Sequence, residues 1–372
     1  MNKIPLVDLK AQYLNIKDEV KAAIDDCLEN TAFIQGKRAE KFEREFAAYL
    51  GAKHAVGCAN GTDAIFLALK ALGVGPGDEA ITAANSFIAT SEAISMTGAK
   101  VVFADVAHAD SNIAPETVEK LINDKTKVIL PVHLSGYPAD LPGLNKLAQK
   151  YGLKIVGDAA QAHGAQIDGR SITDYADITT YSFYPGKNLG AFGDAGAIAT
   201  NDSNLAEQIS MMRNHGRKDK YEHEFEGYNM RIDEIQAAVL SVKLKCLKSW
   251  TEARRRIART YSQALAGTGD IKLPQDSENI YAVYHLYVIE TGRRDELLEC
   301  LKNKNIGAGI HYPIPLPLQP AYSHLNIGKD DIPVAYEKSR RIISLPIYPE
   351  MTEEQQGYII STVKDFYKNV QR

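Results

Sequence analysis

The sequence predicts an α/β protein with a large domain, built on a seven-stranded and mostly parallel sheet, and a smaller C-terminal α+β domain. The chain has 372 residues, of which 45% are hydrophobic, and this length exceeds what one hydrophobic core usually organises. Between about residues 50 and 200, short β-branched runs alternate with amphipathic stretches, which is typical of parallel strands joined by helices. We therefore expect a large domain at 1–250, which includes an N-terminal arm, and a small domain at 251–372.

Seven apolar runs predict the strands of the large sheet, and four amphipathic segments predict helices between them. The predicted strands are "HAVGCAN", "DEAITAA", "AKVVFADV", "TKVILPVH", "LKIVGDAA", "DITTYSF" and "AGAIAT". The predicted helices are "GTDAIFLALKAL", "SFIATSEAISMTG", "APETVEKLIND" and "DLPGLNKLAQKYG". In such sheets ligands bind beyond the carboxyl ends of the strands, so we expect the site in the loops after "GCAN", "IVGD" and "TTYSF".

A long helix is predicted to lead out of the large domain, from Arg231 to about Trp250, because apolar residues recur there at three- and four-residue steps. Beyond it, the pattern predicts a strand, a helix, a strand and a helix. These segments are "YAVYHLYVIE", "RRDELLECLKNKN", "GAGIHYP" and "EEQQGYIISTVKDFYK". The basic run at 254–256 is interpreted as a solvated helix face.

Composition argues against several classes of protein. The formal net charge is -4, which does not indicate a nucleic-acid binder. Charges interrupt every apolar run near the N-terminus and no later run could span a bilayer, so we expect neither a signal peptide nor an anchor, and a cytoplasmic location. The four cysteines and nine histidines lack metal-ligand spacing, so no metal is expected. His133, His163 and His215 are expected to be structural.

Lys187 lies in the glycine-rich segment "SFYPGKNLGAFGDAGAI" and could serve either a phosphate-binding loop or carbonyl chemistry. A Walker loop would need Gly at position 181 and Ser or Thr at position 188, where this chain has Tyr181 and Asn188. A dinucleotide fingerprint also fails, because the glycines follow a late strand at the wrong spacing. The small residues around Lys187 are expected to let a bulky flat ligand approach the backbone, Gly186, Gly190, Gly193 and Gly196 among them.

The partners of Lys187 favour pyridoxal phosphate, which needs an amine for its aldehyde and an acid against its ring nitrogen. Asp158 ends an apolar strand, where an ionised carboxylate would keep the pyridine nitrogen protonated. Gln161, three residues later, could reach the ring hydroxyl, and Phe87 could stack on the ring. For Asp158 the alternative is a helix cap, and for Phe87 it is a place in the core.

A phosphate site is predicted where Gly61 and Thr62 begin a helix, because unpaired amides and the helix dipole attract anions there. Ser182 adds a hydroxyl close to Lys187 in the sequence. Many helices begin with Gly-Thr for capping alone, so that reading stays open.

Taken together, nine segments resemble the DegT/DnrJ/EryC1/StrS family of sugar aminotransferases along nearly the whole chain. They are "FIQGKRAEKFEREFAAYLG", "NGTDAIFLAL", "SFIATSEAI", "PVHLSGYPADL", "DAAQAHGA", "SFYPGKNLGAFGDAGAI", "RNHGRKDKY", "GYNMRIDEIQAAVL" and "GIHYPIP". The resemblance implies the aspartate aminotransferase-like fold (fold type I), pyridoxal 5'-phosphate as cofactor, and a homodimer with shared active sites.

The resemblance also implies roles for individual residues. Lys187 would form the Schiff base with the cofactor and carry the proton transfers, and Asp158 would pair with the ring nitrogen. The other implied cofactor contacts are Gln161 at the ring oxygen, Gly61, Thr62 and Ser182 at the phosphate, and Asn229, which would reach the phosphate of the other subunit. Some members have His in place of this lysine and are dehydratases, so the lysine favours transamination.

The wording of the lysine loop is similar to that of members that aminate C3 of dTDP-3-keto-6-deoxyhexoses, whereas 4-keto members more often read "GEGG" after the loop. The resemblance implies L-glutamate as the amino donor. Candidate substrate contacts are Tyr184, Lys220, Tyr221, His311 and Tyr312. Two alternatives stay open: a 3-aminotransferase for a UDP-linked 3-keto sugar, and a non-catalytic protein that binds pyridoxal phosphate.

Overall fold

The computed structural model describes residues 3–275 and 277–370; residues 1, 2, 276, 371 and 372, which fall in the two predicted domain ranges, lie outside the described residues. The described strands are β1 (His54–Cys58), β2 (Glu79–Ala83), β3 (Lys100–Ala104), β4 (Thr126–Leu130), β5 (Lys154–Asp158), β6 (Gln166–Ile167), β7 (Arg170–Ser171), β8 (Ile178–Ser182), β9 (Gly196–Thr200), β10 (Ile280–Tyr281), β11 (Tyr287–Glu290) and β12 (Ile342–Leu345). The described helices are α1 (Leu9–Asn15), α2 (Lys17–Glu29), α3 (Lys37–Leu50), α4 (Gly61–Ala71), α5 (Ile88–Met96), α6 (Pro115–Glu119), α7 (Leu141–Tyr151), α8 (Ser203–Met212), α9 (Glu234–Leu265), α10 (Arg294–Asn303), α11 (Pro333–Ser339) and α12 (Glu353–Val370).

The predicted α/β architecture is confirmed: within the described residues, the seven predicted runs form one sheet in the order β1-β9-β8-β5-β4-β2-β3. The pairs from β8 through β5, β4 and β2 to β3 are parallel, and β9 runs antiparallel to both of its neighbours. This register places Gly196, at the start of β9, between Cys58 and Ser182, at the ends of β1 and β8. The sheet is buried along its central strands, as a sheet covered by helices requires.

Two large hydrophobic cores are found among the described residues, besides a small cluster of Ile16, Val20 and Val239. The first lies between the large sheet and its helices and includes Phe42, Phe46 and Tyr181. The second is formed mainly after residue 256, although Ile4 from the N-terminal segment packs into it. The predicted boundary at residue 250 falls inside α9, so the division into 1–250 and 251–372 stays a proposal.

The C-terminal elements differ from the sequence prediction in three ways. Helix α9 continues to Leu265, fifteen residues past the predicted end, because one face stays buried as far as that residue. Segment 307–313 forms no strand; only Gly309 pairs there, with Ser344 of β12, and β12 rather than this segment pairs with β11. The predicted solvated face at 254–256 is wrong for Arg254, which is 3% exposed and donates to backbone carbonyls.

Within residues 3–275 and 277–370, no helix has both the length and the apolar composition needed to cross a lipid bilayer.

His133 is a buried structural histidine whose protonation should weaken the fold. Its Nδ1 accepts a hydrogen bond from the Ala139 amide at 3.1 Å, its side chain is fully buried, and burial lowers its pKa to about 3. In the unfolded chain a histidine titrates near pH 6.5, so the folded state gives up stability as the pH falls from about 6.5 towards 3. Between pH 7.5 and pH 5, protonation linked to His133 is expected to lower the free energy of unfolding by about 2 kcal/mol.

Urea unfolding at both pH values checks this expectation. His133→Asn should lose less stability on acidification than the unaltered protein, by about that 2 kcal/mol, whereas the exposed His108→Asn should not. Equal acid sensitivity of His133→Asn and the unaltered protein would contradict it.

Candidate active site

A cavity of about 650 Å³ opens at the carboxyl ends of β1, β5 and β8, where the sequence predicted the site. Of the thirteen predicted site residues, all of which are described, ten line it: Gly61, Thr62, Phe87, Asp158, Gln161, Ser182, Tyr184, Lys187, His311 and Tyr312. Strands β5 and β8 are adjacent and parallel, which explains why Asp158 and Ser182 reach the same edge.

Lys187 is held in a tight turn that follows β8. The turn is closed by hydrogen bonds from the Lys187 amide to the Tyr184 carbonyl at 2.8 Å and from the Ala191 amide to the Phe183 carbonyl at 2.7 Å. Burial lowers the pKa of the Lys187 amine, and the charge of Asp158 opposes that shift. An amine with a lowered pKa is neutral more of the time, so it can act as a nucleophile or a base.

Asp158 is a buried carboxylate, 5% exposed, at the end of β5. Its Oδ2 accepts a hydrogen bond from Thr90 Oγ1 at 2.7 Å and its Oδ1 accepts one from the Ala160 amide at 3.1 Å. Burial raises its pKa, and these hydrogen bonds and the charge of Lys187 oppose the rise. Both donors are neutral groups, so they leave the charge of the ionised carboxylate available to a cationic ring nitrogen.

The start of α4 meets Ser182 across a very short gap. Asn60 caps this helix by accepting a hydrogen bond from the Asp63 amide at 2.8 Å, and the first amides of a helix have no partner within it. A Cβ at Gly61 would lie only 2.6 Å from the Cβ of Ser182, so glycine is required for this approach. The Ser182 hydroxyl and the first amides of α4 therefore lie together at one corner of the cavity, an arrangement of donors that can bind an anion.

Gln161, Tyr312 and Phe87 also line the cavity. Gln161 Oε1 accepts a hydrogen bond from the Ser135 amide at 2.6 Å, and its side chain also bonds to Tyr312, whose pKa burial raises to about 12. Phe87 is 55% exposed, so the alternative that placed it in the core is wrong. Its ring centroid lies 5.9 Å from that of Tyr312.

Lys220, Tyr221 and Asn229 do not line this cavity. All three are exposed, and Tyr221 is 82% exposed with the Lys220 ammonium 5.4 Å from its ring centroid. Asn229 Oδ1 accepts a hydrogen bond from Arg231 Nη2 at 2.7 Å. Their assigned roles stay predictions, and that of Asn229 requires a second copy of the chain.

Two of the glycines around Lys187, Gly190 and Gly196, have a different role from the one predicted for them. A Cβ at Gly190 would lie 2.3 Å from the Pro185 carbonyl oxygen, and a Cβ at Gly196 would lie 2.3 Å from that of Asn60. These two glycines therefore allow close contact between chain segments, not with a ligand. Of the four glycines named from the sequence, Gly186 is the one that lines the cavity.

Thr90 and His285 are cavity residues that sequence reasoning missed. Thr90 lies in the segment "SFIAT", one helical turn after Phe87, and this spacing from a predicted cofactor contact could have identified it. His285 lies in a segment predicted as a strand, and nothing in the pattern distinguished it; its Nδ1 is 3.2 Å from Asn188 Oδ1. Within the described ranges, no three His, Cys, Asp or Glu side chains converge as metal ligands.

Comparison with curated proteins finds full-length relatives with several names. "Pleiotropic regulatory protein" of Geobacillus stearothermophilus is 44% identical over 368 residues, covering 98% of this chain and 99% of the relative. A dTDP-3-amino-3,4,6-trideoxy-alpha-D-glucose transaminase of Streptomyces venezuelae is 44% identical, with 99% and 97% covered. A UDP-N-acetyl-3-dehydro-alpha-D-glucosamine 3-aminotransferase of Acidithiobacillus ferrooxidans is 41% identical, with 97% of each chain covered.

Solved structures agree with these relatives. The crystal structure of S. venezuelae DesV in complex with a ketimine intermediate superimposes with a TM-score of 0.97 at 43% identity and covers 99% of both chains. The structure of NtdA from Bacillus subtilis with bound cofactor PMP gives a TM-score of 0.92 at 31% identity, covering 99% of this chain and 86% of the other.

The model of the DegT/DnrJ/EryC1/StrS aminotransferase family matches residues 14–364, which include every residue that lines the cavity except Leu6 and Val7. The same cavity brings together ten of the thirteen site residues predicted from the sequence. The chain therefore belongs to the DegT/DnrJ/EryC1/StrS aminotransferase family.

Proposed function

We propose that this protein transfers an amino group from L-glutamate to the C3 keto carbon of a dTDP-3-keto-6-deoxyhexose, with 2-oxoglutarate and a dTDP-3-amino-3,6-dideoxyhexose as products. The coarser activity is that of a pyridoxal-phosphate-dependent aminotransferase of nucleotide-linked keto sugars. The proposal adds the donor, the nucleotide and the sugar, and it places the enzyme in the cytoplasm as a homodimer.

One observation carries the proposal: a half-buried lysine and a buried carboxylate share a cavity with a helix N-terminus. The residues fit pyridoxal phosphate in three respects. Asp158 offers an anion for the ring nitrogen, Gly61 leaves open the corner that a Cβ would fill, and the amine of Lys187 has a lowered pKa. When bound, the cofactor supplies the aldehyde that carries the amino group and the ring that withdraws electrons.

The chain's own residues then have separable tasks. The Nζ of Lys187 would accept the proton lost by the α-carbon of the amino donor and pass it to the aldehyde carbon that the bound cofactor would supply. In the second half-reaction it would move a proton from that carbon to C3 of the sugar. Asp158 holds the ring-nitrogen proton in place. The first amides of α4 and the Ser182 hydroxyl bind the phosphate, and we propose that Asn229 of a second copy joins them.

The sugar and nucleotide are proposed from the lysine loop and not from overall similarity. Relatives named for dTDP and UDP sugars are 44% and 41% identical, so identity does not separate the two nucleotides. The loop "SFYPGKNLGAFGDAG" lacks the "GEGG" wording of 4-keto members, which favours a 3-keto sugar. Tyr184, His311 and Tyr312, which line the cavity, are proposed sugar contacts.

The decisive experiment is mass spectrometry of products from a panel of dTDP- and UDP-linked 3-keto and 4-keto sugars with L-glutamate. An amine with the dTDP 3-keto sugar is the expected result, and an amine found only with UDP or 4-keto sugars would refute the substrate. A second reading, a non-catalytic binding protein, draws on the regulatory name of one relative. A cofactor absorbance that no amino donor changes would favour that reading.

Gly61 provides a test of the phosphate corner. Gly61→Ala is expected to weaken pyridoxal phosphate binding at least about tenfold, because the added Cβ forces α4 and Ser182 apart. Gly75→Ala is the matched control, since a Cβ there has its nearest neighbour at 3.9 Å. Titration of the cofactor-free proteins with pyridoxal phosphate measures both, and equal dissociation constants would contradict the assignment.

A further inference from the structure

Helix α9 carries two basic side chains on its buried face. Lys243 is 1% exposed and Arg254 is 3% exposed. They lie eleven residues apart, about three turns or 16 Å along the helix, and therefore on the same face. Buried cations need partners, and the partners of both residues are backbone carbonyls of segments at the cavity wall.

Lys243 contacts the return segment of the lysine turn. Its Nζ donates to the carbonyl oxygen of Gly190 and lies 5.3 Å from the ring centroid of Phe192. Two turns earlier on the same helix, Gln236 Oε1 accepts a hydrogen bond from the Phe192 amide at 2.9 Å. Helix α9 thus holds residues 190–192 at two adjacent points.

A shift of Gly190 would move Lys187. Gly190 packs directly on Pro185, since a Cβ at Gly190 would lie 2.3 Å from the Pro185 carbonyl oxygen. The bond from the Ala191 amide to the Phe183 carbonyl closes the turn at its base. Because residues 190 and 191 contact residues 185 and 183, the position of Gly190 determines where the turn between them, which includes Lys187, lies.

Arg254 contacts other segments that line the cavity. It donates to the carbonyls of Tyr284 at 3.2 Å, His285 at 3.3 Å and Ile347 at 2.9 Å. His285 is also the partner of Asn188, the residue after Lys187.

The charge of Glu350 interacts with both cations. Its carboxylate oxygens are buried, and no other described residue donates a hydrogen bond to them. Burial raises its pKa, and its own backbone amide and the charges of Arg254 and Lys243 act against that rise. Of the two cations, Lys243 contacts the lysine turn directly, and Arg254 is connected to it through His285 and Asn188.

We propose that Lys243 is a positioning residue for Lys187, which it keeps in place by holding the Gly190 carbonyl from the buried face of α9. Its value for catalysis rests on the proposed function, but the contact itself does not. No substrate or cofactor needs to touch Lys243 for this role.

The test compares Lys243→Met with Lys338→Met in cofactor-free protein by hydrogen exchange. Lys338 is the matched control, because it is also a buried lysine, 5% exposed, and pairs with Glu290 far from the turn in sequence. Lys243→Met is expected to speed amide exchange in residues 189–192 at least about tenfold and Lys338→Met to leave it unchanged. Lys243→Arg, which retains a donor, is expected to restore slow exchange.

A second readout is the pH titration of the absorbance of the lysine-bound cofactor, whose midpoint should shift in Lys243→Met and not in Lys338→Met. Unchanged exchange and midpoint in Lys243→Met would overturn the proposal, as would equal acceleration in both lysine variants. If Lys243→Met does not fold, Lys243→Gln takes its place, since its shorter side chain ends before Gly190. Failure of sugar amination alone would count against the proposed function and not against this contact.

Discussion

Lys187→Ala is expected to abolish repeated turnover, with kcat lowered by at least about 10⁴-fold. The variant has no amine to bond the cofactor aldehyde or to move the proton between donor and acceptor carbons. Lys187→Arg should be nearly as inactive, because a guanidinium stays protonated and cannot serve as a base. The measurement is 2-oxoglutarate formation from L-glutamate with the keto sugar present, together with the visible absorbance of the lysine-bound cofactor.

The Lys187→Ala variant should fold normally. Burial lowers the pKa of Lys187, which means that the charged amine is unfavourable where it lies, so its removal relieves a cost. Lys245→Ala, an exposed lysine on α9, is the control and should retain full activity. Multiple turnovers by either Lys187 variant would exclude this residue as the catalytic base.

Local pattern predicted the large sheet and the place of the site. Strands such as β5 and β8 are short apolar runs, and parallel order places their carboxyl ends together. From this the site was expected in the loops after these strands, and Asp158 and Ser182 both line the cavity there. Residue types at the strand ends already favoured pyridoxal phosphate, and the resemblance to the family implied the same coenzyme.

The parts that sequence pattern missed depend on contacts distant in sequence. Arg254 was assigned to solvent because basic runs usually face water, yet carbonyls up to 93 residues away draw it inward. Helix α9 continues past Trp250 for the same reason, since a second core covers its later turns. Gly190 and Gly196 were assigned to a ligand, whereas their neighbours are backbone atoms of other segments.

Asp158→Asn is expected to lower kcat by about 10² to 10³-fold while the cofactor still binds. Asparagine has nearly the same shape and can keep its contact with Thr90, whose hydroxyl can accept as well as donate. What it lacks is the negative charge that keeps the ring nitrogen protonated and the ring able to withdraw electrons. The loss should therefore fall on kcat and not on the dissociation constant of the phosphate-anchored cofactor.

The pH profile separates this role from a structural one. Burial raises the pKa of Asp158, so kcat of the unaltered enzyme should fall as the pH drops through that value, and Asp158→Asn should lack this fall because it has no group to protonate. Asp177→Asn is the matched control: this carboxylate accepts from the Ile155 amide at 2.9 Å, near the other end of β5, and its kcat should stay close to that of the unaltered enzyme. An acid limb that persists in Asp158→Asn would assign the titration to another group, and a kcat near normal would show that the buried carboxylate serves the fold and not the ring.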